Sequence, residues 1–349
     1  MQTVRPGNYD PVIDILRAIS ILAVICIHTT TRTMETVNLY LPKVPVAIFL
    51  NQISRFAVPM FFLISGFVLE LSHKDGLGYF GYLKKRLGKI LIPYVFWSAI
   101  YYFFIYTRHG VSFWQALAGG NSSYQLYFIP SLFLLYLVFP LLHAVYRWIS
   151  RWWVIIPILA IQIWLLYLDY YPREINLWDP LRIVVLNSGC FLAGMIASQN
   201  TDKIKELTVK FKFILAPAAG LLGIFIFREG GSRYLTSWNY IDFYSQWRPS
   251  IFIYTLGLFG LGYTWLSRPG QIFLKLAGWA NESFLVFFIH VIILEKVWEL
   301  FNKVIFGRQT EFFIRQWWWD PVFFLVVAGG SFLAARLIHK IPYIQKVTG

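Results

Sequence analysis

Of 349 residues, 58% are apolar and 14% charged, against about 45–50% and about 25% in soluble domains, so water is not the chain's main solvent and a soluble multidomain protein is excluded. A formal charge of +14 would suggest nucleic acid in a soluble chain; in a membrane protein the placement of Lys and Arg among loops is read first, and no nucleic-acid partner is expected. Cys26 and Cys190 both fall in apolar runs, so neither a disulfide framework nor a CxxC metal motif is expected, and no metal is called for.

The chain opens on a polar stretch, Met1 to Asp10, with no small-residue cleavage site after its first apolar run, which is therefore read as a retained helix rather than a signal peptide. A membrane-crossing helix needs roughly 20 mostly apolar residues. Such runs fall at about 12–31, 46–71, 90–107, 125–143, 152–168, 181–198, 211–227, 249–266, 277–300 and 319–338. An even count puts both termini on one side. Loops on that side hold Lys84, Lys85, Arg86, Lys89, Arg147, Arg151, Lys203, Lys205, Lys210 and Lys212, whereas Glu35, Asp169, Glu174, Asp179, Glu229, Asp242 and Glu311 fall mainly opposite. The positive-inside rule then makes the N- and C-termini cytoplasmic. Trp317, Trp318 and Trp319 before the last span, and Trp152 and Trp153 at another, read as interfacial belts. The expected fold is an all-α integral membrane protein of about ten transmembrane helices. It forms one domain over residues 1–349, without repeats or a soluble appendage.

Charged groups inside a span cost several kcal/mol each and draw the first functional suspicion. In the first span Asp14 and Arg17 lie three apart and can pair on one helix face. His28 follows Arg17 by eleven residues, a turn of about 1100° and a rise of roughly 16 Å on an ideal helix. Arg17 and His28 are therefore expected to face one cavity, Arg17 near the cytoplasmic end. A structural Asp–Arg pair with a hydrogen-bonded histidine would have the same spacing. In the second span, Phe61-Phe62-Leu63-Ile64-Ser65-Gly66-Phe67 has a glycine that permits close helix approach and a serine able to bond across the contact, so packing is the favoured reading. Lys84-Lys85-Arg86-Leu87-Gly88-Lys89 precedes Pro93-Tyr94. Such a cluster marks topology or anionic membrane lipid, and equally suits the phosphates of a nucleotide cofactor.

This ordered set resembles the acyltransferase 3 family of integral membrane acyltransferases. The likeness rests on Arg17 with His28, the Phe61–Phe67 stretch, Arg86-x-x-Lys89 before Pro93-Tyr94, Tyr127-Phe128-Ile129 with Tyr136 and Pro140, and Ser283-Phe284 leading to His290. It covers nearly the whole chain. The Tyr127 stretch is most similar to the branch that modifies enterobacterial common antigen or poly-N-acetylglucosamine. Two positions depart from the family pattern. Lys89 stands where Arg is usual and cannot make the same bidentate phosphate contact, and Leu132 stands where many members have an acid.

The resemblance implies O-acyl transfer, an acetyl group in the first instance, from cytoplasmic acetyl-CoA or another acyl-CoA to a hydroxyl of an extracytoplasmic or lipid-linked glycan, in a bacterial inner membrane. A thioester is already activated, so the protein must orient it and remove the acceptor's proton, a task suited to a histidine. His28 is the expected catalytic base, with Arg17 and Asp14 beside it. Arg86, Lys89, Arg17 and Ser65 are expected to hold the coenzyme. His290 is either a base partner or a helix-to-helix tie. Tyr127, Trp247 and Arg248, with Trp238, Tyr240 and Tyr244, combine aromatic faces with a cation as an acceptor site does, and as an interfacial belt also does. A homodimer is left open. The competing function is a polysaccharide or small-molecule transporter with Arg and His along a substrate path, though no inverted repeat supports it.

Overall fold

In lipid every backbone polar group must be satisfied within its own segment, so apolar runs of this length fold as helices. The computed structural model describes residues 10–36, 45–73, 78–106, 110–236 and 243–341. No strand occurs among them. In chain order the helices are α1 (Pro11–Thr36), α2 (Pro45–Ser54), α3 (Ala57–Leu71), α4 (Tyr79–Ile100), α5 (Phe113–Gly119), α6 (Phe128–Ala144), α7 (Tyr146–Ile149), α8 (Trp152–Tyr170), α9 (Asp179–Ser198) and α10 (Thr201–Lys210). They continue as α11 (Lys212–Thr236), α12 (Pro249–Trp265), α13 (Gln271–Gly278), α14 (Ser283–Glu299), α15 (Thr310–Ile314) and α16 (Trp319–His339).

Among the described residues, seven helical stretches are long and apolar enough to cross a membrane: Pro11–Thr36, Val46–Leu71, Gly88–Ile105, Trp153–Tyr170, Asp179–Ser198, Lys212–Ser232 and Trp319–His339. The other three expected spans fall on α6, α12 and α14, each of 17 residues. A helix of that length rises about 25 Å, short of the roughly 30 Å of a bilayer core, although α14 runs on without a break as a π-helix over Leu300–Phe306. Length and composition alone thus identify seven candidate crossings among the described residues.

Helix α1 is the axis of the fold. It starts cleanly because Asp10 Oδ1 accepts the Val12 N–H at 2.9 Å and Pro11 occupies the first turn, where its missing donor costs nothing. The Tyr263 hydroxyl donates to Asp10 Oδ2 at 2.7 Å, tying α12 to this end. Within its apolar window 72% of α1 is buried, against 17% for α11, which places α1 inside the bundle and α11 on its lipid face. The tightest contact lies between α3 and α9. Gly66 faces the Phe191 carbonyl and Gly194 the Leu63 carbonyl so closely that a Cβ on either would collide with backbone.

One residue of an expected belt is not at the surface. Trp319 is fully buried among Trp298, Phe301 and Phe323, and its indole N–H donates to Thr33 Oγ1 at 3.0 Å, so it ties α16 to α1. Trp317 is 77% exposed and fits the belt reading. A run of three tryptophans on a turn points them in different directions, and only some can meet lipid.

Candidate functional site

Along α1, Arg17 Nη1 donates to Asp14 Oδ1 at 3.1 Å, the pairing expected from their spacing. Arg17 lines a cavity of about 430 Å³ together with Ser65 of α3 and Lys89 of α4. Phe61, Tyr136, Ser283 and Phe284 line it as well, so five separated parts of the chain converge there. Leu132 forms part of the wall, which makes that side apolar. Arg86 lies on α4 three residues before Lys89; its side chain lies outside the described residues.

His28 does not share this cavity. It lines a second one of about 760 Å³, toward the Thr36 end of α1, and no residue lines both. The two groups lie on one face of α1, as the eleven-residue spacing requires, yet aromatic side chains separate their surroundings. Phe128 packs on Phe62 at 4.8 Å, on Phe287 at 5.8 Å and on Phe61 at 6.0 Å between ring centroids. Phe287 in turn lies 6.3 Å from the His290 ring. Phe61, Phe128 and Phe287 all line the Arg17 cavity, and Phe287 is the one in ring contact with His290.

The His28 ring is half-buried between Tyr124, at 4.9 Å, and His290, at 5.2 Å. His290 is fully buried, and its Nδ1 lies 3.0 Å from the Val286 carbonyl oxygen. A carbonyl only accepts, so that nitrogen carries the proton and Nε2 presents a lone pair. Nε2 has no hydrogen-bond partner. A second imidazole with an unengaged lone pair thus stands in ring contact with His28, an arrangement able to orient it or share its proton.

Polar and aromatic groups surround His28 in the larger cavity. Gln246 Nε2 donates to the Tyr127 hydroxyl at 2.6 Å, and the Trp247 ring lies 6.0 Å from that of Tyr127. Arg182 holds Asp169 through two bonds of 2.5 and 2.7 Å while its guanidinium stacks 5.0 Å from the Trp247 ring centroid. Arg32 pairs with Glu295 at 2.9 Å. Flat rings beside fixed donors and acceptors suit a hydroxyl-rich ligand of alternating apolar and polar faces.

Two of the expected acceptor residues, Tyr127 and Trp247, line this cavity with His28, and His290 contacts it through the His28 ring. Arg248 does not line it. That side chain is fully buried, donating to Gln52 Oε1 at 2.5 Å and to Glu229 Oε2 at 3.3 Å, while Ser250 donates to the same carboxylate. Arg248→Gln is expected to destabilise the fold, since removing one partner of a buried pair costs about 3–5 kcal/mol. Thermal unfolding in detergent should fall markedly while the KM for any acceptor stays unchanged. Trp238 and Tyr240 lie outside the described residues.

Residues not singled out from sequence also reach the cavity: Arg55, Tyr124, Asp169 and Arg182. Arg55 carried a readable signal, a charge inside the apolar run 46–71, of the kind that drew attention to Arg17. Tyr124 carried none, because its role depends on how the segment before α6 folds over α1.

In comparison with known proteins, residues 10–336 match a family model described as an acyltransferase domain. No curated protein and no solved structure matches the chain.

Proposed function

Because the chain belongs to the acyltransferase 3 family of membrane proteins, we propose that it moves an acyl group, acetyl in the first instance, from acyl-CoA to a glycan hydroxyl across the bacterial inner membrane. The reading takes the Arg17 end of α1 as cytoplasmic, with α6, α12 and α14 as further, shorter crossings that bring the count to ten and leave both termini cytoplasmic. One observation carries it. A single continuous helix delivers a cation to one cavity and, eleven residues on, an imidazole to another.

In this reading Arg17 and Lys89, and Arg86 one turn before Lys89 in sequence, meet the phosphates of the coenzyme at the cytoplasmic mouth. The pantetheine arm then runs past Phe61, Phe128 and Phe287, which must part to admit it, and brings the thioester carbonyl under His28. The roughly 16 Å rise from Arg17 to His28 is the reach such an arm needs. The acceptor enters the larger cavity, its rings against Trp247 and Tyr127. His28 takes the proton of the acceptor hydroxyl as the oxygen attacks the thioester carbon. The C–S bond breaks, the thiolate leaves with the coenzyme and takes up that proton, and the ester remains on the glycan. His290, holding its proton on Nδ1, positions His28 through the free lone pair on Nε2.

Within the family, the narrower likeness to the branch acting on enterobacterial common antigen or poly-N-acetylglucosamine rests on the Tyr127 stretch alone. Two cavities divided by an aromatic layer would also suit a transporter working by alternating access. Chemistry separates the two readings, since only an enzyme leaves a covalently acylated glycan.

Purified protein with labelled acetyl-CoA and a candidate glycan tests the proposal. Arg17→Gln and Lys89→Gln should each weaken coenzyme binding about tenfold, the loss of one charge-assisted contact, and Lys89→Arg should retain or tighten it. Wild-type affinity in both glutamine variants would reject the donor site. Transport of unmodified glycan without label transfer would reject the enzyme.

A further inference from the structure

We propose that Arg55 forms an anion subsite in the larger cavity, taking a phosphate or carboxylate carried by the acceptor. The inference rests on reading that cavity as the acceptor site, and it assigns the acceptor's class: a glycan bearing fixed negative charge.

Arg55 sits at the turn between α2 and α3, is 4% exposed and lines the cavity. Its Nε and Nη2 donate to Asn51 Oδ1 at 3.0 and 2.5 Å, and Nη1 donates to the Tyr244 carbonyl at 2.5 Å. Every one of these acceptors is neutral. Arginine has five N–H donors in a rigid fork, and the bonds to Asn51 and Tyr244 use one on each nitrogen. One N–H on each terminal nitrogen is left over, the arrangement that receives a carboxylate or phosphate.

Four other arginines of the chain differ in one respect. Arg17 has Asp14 at 3.1 Å, Arg32 has Glu295 at 2.9 Å, Arg182 has Asp169 at 2.5 Å and Arg248 has Glu229 at 3.3 Å. Among the described residues Arg55 has no carboxylate partner, and the strongest charge effect on it comes from another cation, Arg248. A buried guanidinium at membrane depth is costly without a counter-charge. Asn51 is itself locked in place, its amide donating to the Ile27 carbonyl and to the Thr30 and Thr31 hydroxyls at 3.0–3.1 Å. The fold thus fixes the cation rigidly at a cavity wall and leaves the neutralising charge to arrive with a ligand. The coenzyme is not that ligand in the proposed mechanism, because its phosphates meet Arg17 and Lys89, which line the other cavity.

Two kinds of acceptor bring such a charge: a glycan on a prenyl diphosphate, and a glycan containing a uronic acid. The test uses the full chain in nanodiscs, saturating labelled acetyl-CoA and three acceptors built on one sugar: the neutral methyl glycoside, the uronate and the prenyl diphosphate conjugate. Wild type should show a KM for one charged acceptor about tenfold below that of the neutral one, and which of the two identifies the source. Arg55→Gln should raise that KM to the neutral value at similar kcat, and Arg55→Lys should recover part of the preference. Equal KM for all three acceptors in wild type, or an equal loss for neutral and charged acceptors in Arg55→Gln, overturns the subsite.

A binding readout keeps this separate from the enzymatic reading. Thermal stabilisation of wild type by glucuronate or a glycosyl diphosphate, absent in Arg55→Gln and absent with the neutral glycoside, upholds the subsite even where no label is transferred. Acyl transfer to the neutral glycoside with no such stabilisation overturns the subsite and leaves the enzyme standing. If Arg55→Gln does not fold, sulfate competition on wild type and Arg55→Lys decides. Sulfate should raise the KM of the charged acceptor alone, and an equal rise for both acceptors rejects the proposal.

Discussion

Replacing His28 with alanine is expected to lower acyl transfer by about 10²–10⁴-fold, the range that positioned general bases contribute, and to leave coenzyme affinity unchanged. The asymmetry follows from the two cavities: His28 lines the one with Tyr127 and Trp247, and a separate one, with Phe128 and Phe287 in its wall, holds Arg17, Ser65 and Lys89. Truncating His28 removes the proton acceptor without touching the walls that would hold phosphates. His290→Ala should have a smaller effect, about tenfold on kcat, because His290 acts on the acceptor only through the His28 ring, 5.2 Å away. Stopped assays with labelled acetyl-CoA, alongside direct coenzyme titration, measure both. Transfer at the wild-type rate in His28→Ala would remove the base from the mechanism.

The second large effect is on folding. Gly66→Ala and Gly194→Ala each drive a methyl group into a backbone carbonyl, of Phe191 and Leu63 respectively. A carbonyl cannot rotate away as a flexible side chain can, so α3 and α9 must separate along their whole contact. Overpacking costs typically about 1–3 kcal/mol and occasionally more, and the upper part of that range is expected here because both collisions fall on backbone. Either variant should lose thermal stability in detergent or fail to accumulate. Gly257→Ala is the control, since nothing lies within 4 Å of a Cβ built there. Equal stability of all three variants would show that the two helices do not depend on this approach.

Much of the architecture was legible because lipid restricts what a backbone can do. The Asp14–Arg17 pair, the shared face of Arg17 and His28, and the close approach at Gly66 all follow from helix periodicity and side-chain size. The convergence of Ser65, Lys89, Tyr136 and Ser283 with Arg17 was legible only through family resemblance, since no local pattern says which helices will be neighbours. The division into two cavities was not legible. It depends on Phe61, Phe128 and Phe287, from three helices, meeting side by side, and phenylalanine in an apolar span reads the same whether it faces lipid or a partner. Arg248 was misjudged for a related reason: a cation beside Trp247 resembles a sugar site until Glu229 and Gln52, distant in sequence, are seen to enclose it. The expected spans on α6, α12 and α14 are the ones that length and composition alone do not identify as crossings, each α-helix there having 17 residues.

The central claim is that one route joins the cavity of Arg17 and Lys89 to the imidazole of His28. An acyl-CoA analogue bearing a diazirine at the end of its acyl chain tests it in a single measurement, by locating the covalent label with mass spectrometry. Label on His28, Tyr124 or the Phe284–His290 stretch of α14, suppressed by excess coenzyme, is the predicted result. Label confined to the lipid-facing helices α8 or α11, or indifferent to added coenzyme, would contradict it.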